Sequence, residues 1–389
     1  MRVAARVQAL PPYLFAELER KIDERRKAGV EVISLGIGDP DMPTPPAVVE
    51  EAQRQVARPA NHRYPSNRGL PAFREAVATF YDRRFGVTLD PDTEVLPLLG
   101  GKEGVAHVCF AMLDPGDACL AADPGYPVYT SGTSLAGAEP VLMPLTAEHE
   151  FLPDLDAIPA AVADRANLLF CNYPNNPTGA VCELEFFERL AAFGLERGVP
   201  IVHDNAYSEI TFDGYTAPSF LEARGAREAG VEMFSLSKAY NMTGWRVGAA
   251  VGNAEMIAAL LKLKTNIDSG VFDAVQMAGA AALTGPQEHV REMCAIYARR
   301  RDLVVAALAA VGIEVPPPRG TMYIWVPVPP GHTSVSFAEL VLDQAAVVVS
   351  PGSAYGPNGE GYVRLSLTIS DDDLLEALSR IEQHLRVAV

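Results

Sequence analysis

Lys238 lies in Ser235-Leu236-Ser237-Lys238-Ala239-Tyr240, and Gly244-Trp245-Arg246-Val247-Gly248 follows closely. A lysine amine condenses with an aldehyde to form a Schiff base. Two hydroxyls just before the lysine, on Ser235 and Ser237, and an arginine eight residues after it suit a phosphate dianion. An aldehyde that carries a phosphate is pyridoxal 5'-phosphate (PLP). A single lysine near a glycine-rich turn is ordinarily a surface residue, but here several distant segments point to the same cofactor.

Such a site also needs an acid for the pyridine nitrogen, a partner for the phenolate oxygen, a group to stack on the ring and a second half to the phosphate cradle. Gly101-Lys102 sits at a predicted helix start, where free N–H groups and the helix dipole favour an anion. It is not a Walker A loop, since Glu103 follows the lysine and Leu96 stands at the first glycine position. Taken alone it is equally a glycine turn that starts a helix. Asp204 ends the strand-like Ile201-Val202-His203, where a carboxylate can pair with a protonated pyridine; a turn or cap aspartate is the alternative. Tyr207, or Asn176 within Asn175-Asn176-Pro177-Thr178-Gly179, can meet the phenolate oxygen. Tyr126 can stack on a flat ring or be a core aromatic. Arg364, in Tyr362-Val363-Arg364-Leu365-Ser366, is a charge in a strand otherwise built for burial. A substrate carboxylate or a structural ion pair would satisfy it. His203 reads as a packed core residue.

The elements that must position these residues alternate along the chain. A helix is predicted over 13–28, a strand at Val32–Leu35, and helices near 46–57 and 70–84. Strands follow at 95–99, 118–122, 140–143, 167–171, 200–203, 233–235 and 247–251, with helices after Gly101 and over 125–136 and 183–197. This pattern predicts an α/β fold with a mainly parallel sheet whose strand ends carry the site. After a long helix ending near Val311, strands at 323–328, 346–349 and 361–367 predict a smaller sheet. Ser370-Asp371-Asp372-Asp373 reads as an N-capped helix start and not as a metal site.

The chain has 389 residues, 49% hydrophobic and 21% charged, enough for a large core and two or three domains. A net charge of -17 argues against nucleic-acid and anionic-membrane surfaces. Five cysteines without a C-x-x-C pair suit free thiols in a reducing compartment and no zinc site. No run of eighteen apolar residues and no secretory h-region occur, so a cytoplasmic protein is expected.

Together these segments resemble the class I/II aminotransferases of PLP fold type I over essentially the whole chain. The resemblance carries an S-x-S-K core with its arginine, the N-N-P-T-G segment and the D-x-A-Y segment in family order. It implies a seven-stranded sheet in a large PLP-binding domain over 46–280, with 1–45 joining a small domain at 281–389. It implies that Lys238 binds PLP covalently and shuttles a proton, with Ser235, Ser237, Arg246, Gly101 and Lys102 on the phosphate. Asp204 would meet the pyridine nitrogen, Asn176 and Tyr207 the phenolate oxygen, Tyr126 the ring face and Arg364 the substrate α-carboxylate. Tyr64, in Arg63-Tyr64-Pro65-Ser66-Asn67, matches a tyrosine that reaches the neighbouring subunit's phosphate, which implies a homodimer with shared sites.

Tyr13-Leu14-Phe15-Ala16-Glu17, Leu35-Gly36-Ile37-Gly38-Asp39 and Asp123-Pro124-Gly125-Tyr126-Pro127-Val128-Tyr129 are closer still to LL-diaminopimelate aminotransferases. That group places Tyr13-, Gly38-, Lys102-, Tyr126- and Asn176-like residues around the substrate and often has Ser where this chain has Gly101. The implied reaction moves an amino group from LL-diaminopimelate to 2-oxoglutarate by a ping-pong mechanism. Aspartate, alanine and succinyl-diaminopimelate aminotransferases share most of these motifs, and a PLP C–S lyase is a further alternative.

Overall fold

The computed structural model describes residues 1–10 and 14–385, and of 14–19 the backbone alone. In chain order the strands are β1 (Ile33–Ser34), β2 (Val95–Leu98), β3 (Ala118–Asp123), β4 (Glu139–Pro144), β5 (Ala166–Cys171) and β6 (Ile201–His203). Then come β7 (Gly230–Ser235), β8 (Gly248–Gly252), β9 (Tyr323–Pro327), β10 (Val347–Val348), β11 (Ser350–Pro351) and β12 (Tyr362–Ser366). Seven of them form one sheet in the order β2-β8-β7-β6-β5-β3-β4. Only β8 runs antiparallel to its neighbours. The expected α/β architecture with a mainly parallel seven-stranded sheet is therefore present.

Strand periodicity explains the core. Leu96, Leu98, Cys119, Ala121, Leu168, Phe170, Val202, Val231 and Met233 point into one apolar cluster. Their alternates Val95, Ala118, Leu120, Leu169, Cys171, Ile201 and Phe234 point into the other. Both faces are covered, so β2, β3, β5 to β8 read as apolar runs, as buried parallel sheets do. Helices close where backbone chemistry demands it: Pro71–Phe85 has proline in its first turn and ends at Gly86, φ 66°.

Three expectations change. The helix expected from residue 125 begins only at Val128, because the Gly125 N–H is taken by the Tyr355 carbonyl at 2.8 Å and Pro124 and Pro127 have none to give. The helices Ala254–Lys264, Asp273–Thr284 and Ser334–Ala345 had not been read from the sequence. The third concerns the smaller sheet. β9, β12 and β11 form it, antiparallel, but β10 leaves it and pairs in parallel with β1. Ser370 does cap its helix, accepting from Asp373 N.

Beneath the site a buried carboxylate ties the central strands together. Glu232 accepts from Tyr81 Oη at 2.8 Å, Ser219 Oγ at 2.8 Å, Phe220 N at 2.7 Å and Asn205 Nδ2 at 3.3 Å, and it also meets His203 Nδ1 at 2.6 Å. Burial opposes its charge, but His203 and these donors outweigh it and hold the carboxyl below its usual range. Glu232→Ala strands several buried donors at once. Urea unfolding is expected to show a loss of about 3–5 kcal/mol. A loss below about 1 kcal/mol would show that the network adds little.

Candidate active site

The predicted residues gather at one edge of the sheet, at the carboxyl ends of β2, β3, β5, β6 and β7, where open α/β sheets bind ligands. β2 leads through Gly100, φ 83°, into the helix Gly101–Met112. β7 leads into Ser235, Ser237 and Lys238. Ser235 Oγ accepts from Ser237 N at 3.2 Å. Arg246 precedes β8, which enters from the same edge because it runs antiparallel. Its backbone lies in the left-handed region, φ 54°, and its guanidinium bonds the carbonyls of Thr243 at 2.8 Å and Leu99 at 3.4 Å. A methyl group at Gly100 would run into that guanidinium. Two hydroxyls, a guanidinium and a helix start thus meet in one cradle of the kind that binds phosphate. At Gly101 a methyl group would stand 3.5 Å from Ser235 Cβ and 3.9 Å from its Oγ, in ordinary contact. The glycine is therefore not required by space.

Asp204 follows β6 and is buried. Its Oδ2 accepts from Tyr129 Oη at 2.9 Å. The Tyr129 ring is stacked on Phe170, centroids 4.9 Å apart at 11°. Burial raises the Asp204 carboxyl to about 6 against the opposing bond from Tyr129. Tyr129 was quoted in the sequence only as part of a motif. Its spacing of three from Tyr126 was the available signal. Lys238 Nζ donates to the Gly38 carbonyl at 2.6 Å, which brings the 36–39 loop to the lysine.

Arg364 is 4% exposed in β12. Its Nη1 donates to Asn176 Oδ1 and its Nη2 to the Gly36 carbonyl, both at 2.8 Å. Its Cζ lies 4.0 Å from the Tyr323 ring centroid and 4.8 Å from that of Tyr355. Among the described residues its Nε has no hydrogen-bond partner, and no carboxylate forms an ion pair with it. The structural ion pair weighed for Arg364 is thus not what these residues offer. Tyr207 Oη meets Tyr323 Oη at 3.3 Å. Tyr323 had no signal in the sequence beyond its place in a strand.

The remaining predicted residues take less buried positions. Lys102 Nζ is 5.8 Å from the centroid of the half-buried Tyr126 ring. Tyr64 is 89% exposed. Tyr13 lies outside the described residues. Away from the site, Glu103, His107 and Asp268 come close enough together to share an ion. Lys264 Nζ already sits between the two carboxylates, at 2.7 and 2.9 Å, and fills that space with an ammonium.

The residues present fit PLP. A buried carboxylate with a raised pKa suits a cation, and Ser235, Ser237 and Lys238 lie at the end of one strand, two hydroxyls and an amine in four residues. The family model for aminotransferase class I and II matches residues 30–381. The chain is 57% identical to an LL-diaminopimelate aminotransferase of Desulforudis audaxviator, covering 97% of this chain and 96% of that one. It is 55% identical to an LL-diaminopimelate aminotransferase of Moorella thermoacetica, covering 98% of each. The apo BacF structure from Bacillus subtilis superposes with a TM-score of 0.96 at 40% identity over 100% of both chains.

Two outcomes follow from this geometry. A carboxyl raised from 3.8 to about 6 binds its proton more tightly folded than unfolded. The folded state therefore loses stability as pH rises from about 4 through about 6. Without PLP, Asp204→Asn is expected to be more stable than wild type at pH 8 by about 2–3 kcal/mol, and equal to it near pH 4. A difference independent of pH would contradict the origin given for it. Gly101→Ser is expected to fold normally and to bind PLP about tenfold more tightly through one added bond to phosphate. Equilibrium dialysis measures this, and weaker binding would mean the hydroxyl does not reach the anion.

Proposed function

This chain belongs to the class I and II aminotransferases and so is a PLP-dependent transaminase; we propose that it moves the amino group of LL-diaminopimelate to 2-oxoglutarate. The observation that carries the donor is the likeness, over nearly the whole length of both chains, to two LL-diaminopimelate aminotransferases. The reaction class has its own physical support in Arg364, a buried cation shaped for a carboxylate.

Bound PLP supplies an electron sink that makes the substrate Cα–H acidic. Lys238 would anchor the cofactor and, once its Nζ is free, would carry the proton from the substrate Cα to the cofactor's C4'. The Gly38 carbonyl is a resting acceptor for that amine. Asp204 holds the proton on the pyridine nitrogen, and that cation in turn removes the penalty on the buried carboxylate. Ser235, Ser237, Arg246, Gly101 and Lys102 hold the phosphate. Tyr207 Oη and the amide nitrogen of Asn176 serve the phenolate oxygen, since the Asn176 oxygen is engaged by Arg364. Tyr126 covers the ring, and Gly38, Lys102 and Tyr13 border the distal part of the donor.

The keto acid formed leaves before 2-oxoglutarate enters, which gives ping-pong kinetics. Residues 46–280 form the PLP-binding domain in this reading, and 1–45 joins 281–389 in the smaller one. The exposed Tyr64 reaches the phosphate of a second subunit in a cytoplasmic homodimer. No described helix is long and apolar enough to cross a membrane.

Borohydride reduction of the holoenzyme followed by peptide mapping is expected to fix PLP on Lys238, and Lys238→Ala to lose nearly all turnover. Label on another lysine would end the assignment. For the donor, kcat/KM is measured for LL-diaminopimelate, aspartate, alanine and glutamate. A preference for aspartate or alanine by about tenfold, roughly 1.4 kcal/mol, would overturn LL-diaminopimelate and leave the transaminase. Arg364→Lys should weaken all four donors alike, because all present the same α-carboxylate.

A further inference from the structure

Tyr323 opens β9 and is 2% exposed. Its ring lies on the Arg364 guanidinium, and Tyr355 stacks on the same group. Its hydroxyl meets that of Tyr207 at 3.3 Å. The same hydroxyl fills the space beside Gly38, where a methyl group would overlap it. That glycine's carbonyl is the acceptor for Lys238 Nζ at 2.6 Å. One phenol thus touches the arginine, the tyrosine after β6 and the loop that holds the lysine.

Its own backbone is firmly held. Tyr323 N donates to Thr321 Oγ1 at 3.1 Å, and Thr321 N to the Ile210 carbonyl at 2.9 Å. Thr321 is fully buried with φ 69°, a conformation a β-branched residue rarely adopts. Strain of this kind persists where the surroundings over-determine it, and it concentrates at functional sites.

We propose that Tyr323 is a positioning residue of the transamination, its ring fixing the plane of Arg364 and its hydroxyl holding that of Tyr207. The proposal rests on the roles given above to Arg364 and Tyr207. Arg364, Lys238, Tyr207, Asp39 and Tyr297 are the titratable groups that face Tyr323. Burial pushes its phenol up, but Arg364, Lys238 and the bond to Tyr207 outweigh burial and Asp39 and hold it below the usual range. Tyr207 is instead pushed up, by burial first and then by Tyr323. The contact between the two hydroxyls at 3.3 Å fixes where the Tyr207 phenol stands, which in the reading above is beside the cofactor's phenolate oxygen.

Two variants of the holoenzyme separate the two roles. Tyr323→Phe keeps the ring on Arg364 and removes the hydroxyl. A Tyr207 hydroxyl no longer held by its neighbour serves the phenolate oxygen less well and leaves it more basic. The pH midpoint of the bound cofactor's visible absorbance should then rise by about one unit and kcat fall about tenfold, with KM for amino donors within about twofold. Tyr323→Leu removes the stack as well, and KM for all four donors should rise about tenfold, which phenylalanine restores. If Tyr323→Phe leaves both midpoint and kcat unmoved, the proposal fails. It fails equally if both variants merely lower the melting temperature. Should the leucine variant not fold, the phenylalanine variant alone decides. Wild-type enzyme that traps PLP elsewhere than Lys238 would instead defeat the underlying reading, and the two failures are distinct.

Discussion

The structure is organised around opposite charges held out of water without mutual neutralisation. Arg364 and Asp204 are both buried, and among the described residues neither has an ion-pair partner within the chain. An unpaired buried ion costs several kcal/mol. Neutral groups offset part of that cost: Gly36 and Asn176 oxygens and two aromatic faces for Arg364, one phenol for Asp204. In the reading proposed above, what remains would be released when a carboxylate meets one charge and a pyridinium the other. Free energy that would have stabilised the empty protein is thereby kept for its ligands, the usual cost of a preorganised electrostatic site.

Keeping such charges apart requires rigid supports from different parts of the chain. The parallel strands deliver Asp204, Lys238, Asn176 and Tyr126 to one edge through short segments after β6, β7, β5 and β3. The antiparallel β8 brings Arg246 to that edge as well. The smaller sheet contributes Arg364 and Tyr323 on adjacent strands, two residues out of register: Arg364 stands opposite Trp325 and Tyr323 opposite Ser366. That diagonal offset suits an aromatic ring reaching a long cation. Glu232 and its donors stiffen the base from which Asp204 projects.

Most of the fold was legible because buried strands are written as short apolar runs between glycine and proline punctuation. The residues assigned to the cofactor stood out because Ser235, Ser237, Lys238 and Arg246 lie within one local segment. Tyr323, Tyr355 and Tyr129 did not. Each acts by where another element carries it, and a tyrosine in an apolar strand reads as core. The parallel pairing of Ile33–Ser34 with Val347–Val348 was hidden for the same reason, since a two-residue ladder leaves almost no pattern. Gly38 was read as a substrate contact. The structure adds a steric reason for its lack of a side chain, the neighbouring Tyr323 hydroxyl.

The 35–38 loop has a further consequence, for the order in which the protein can be completed. Leu35 N–H bonds the Val348 carbonyl, Ser350 Oγ and Arg364 bond the Gly36 carbonyl, and Ser366 N–H bonds the Leu35 carbonyl. Every one of these anchors is synthesised more than three hundred residues after the loop itself. The residues of this chain assigned to the phosphate, by contrast, all lie at or before Arg246. In the reading proposed above, the residues that would hold the cofactor's phosphate are therefore synthesised before the last of those that would hold the substrate.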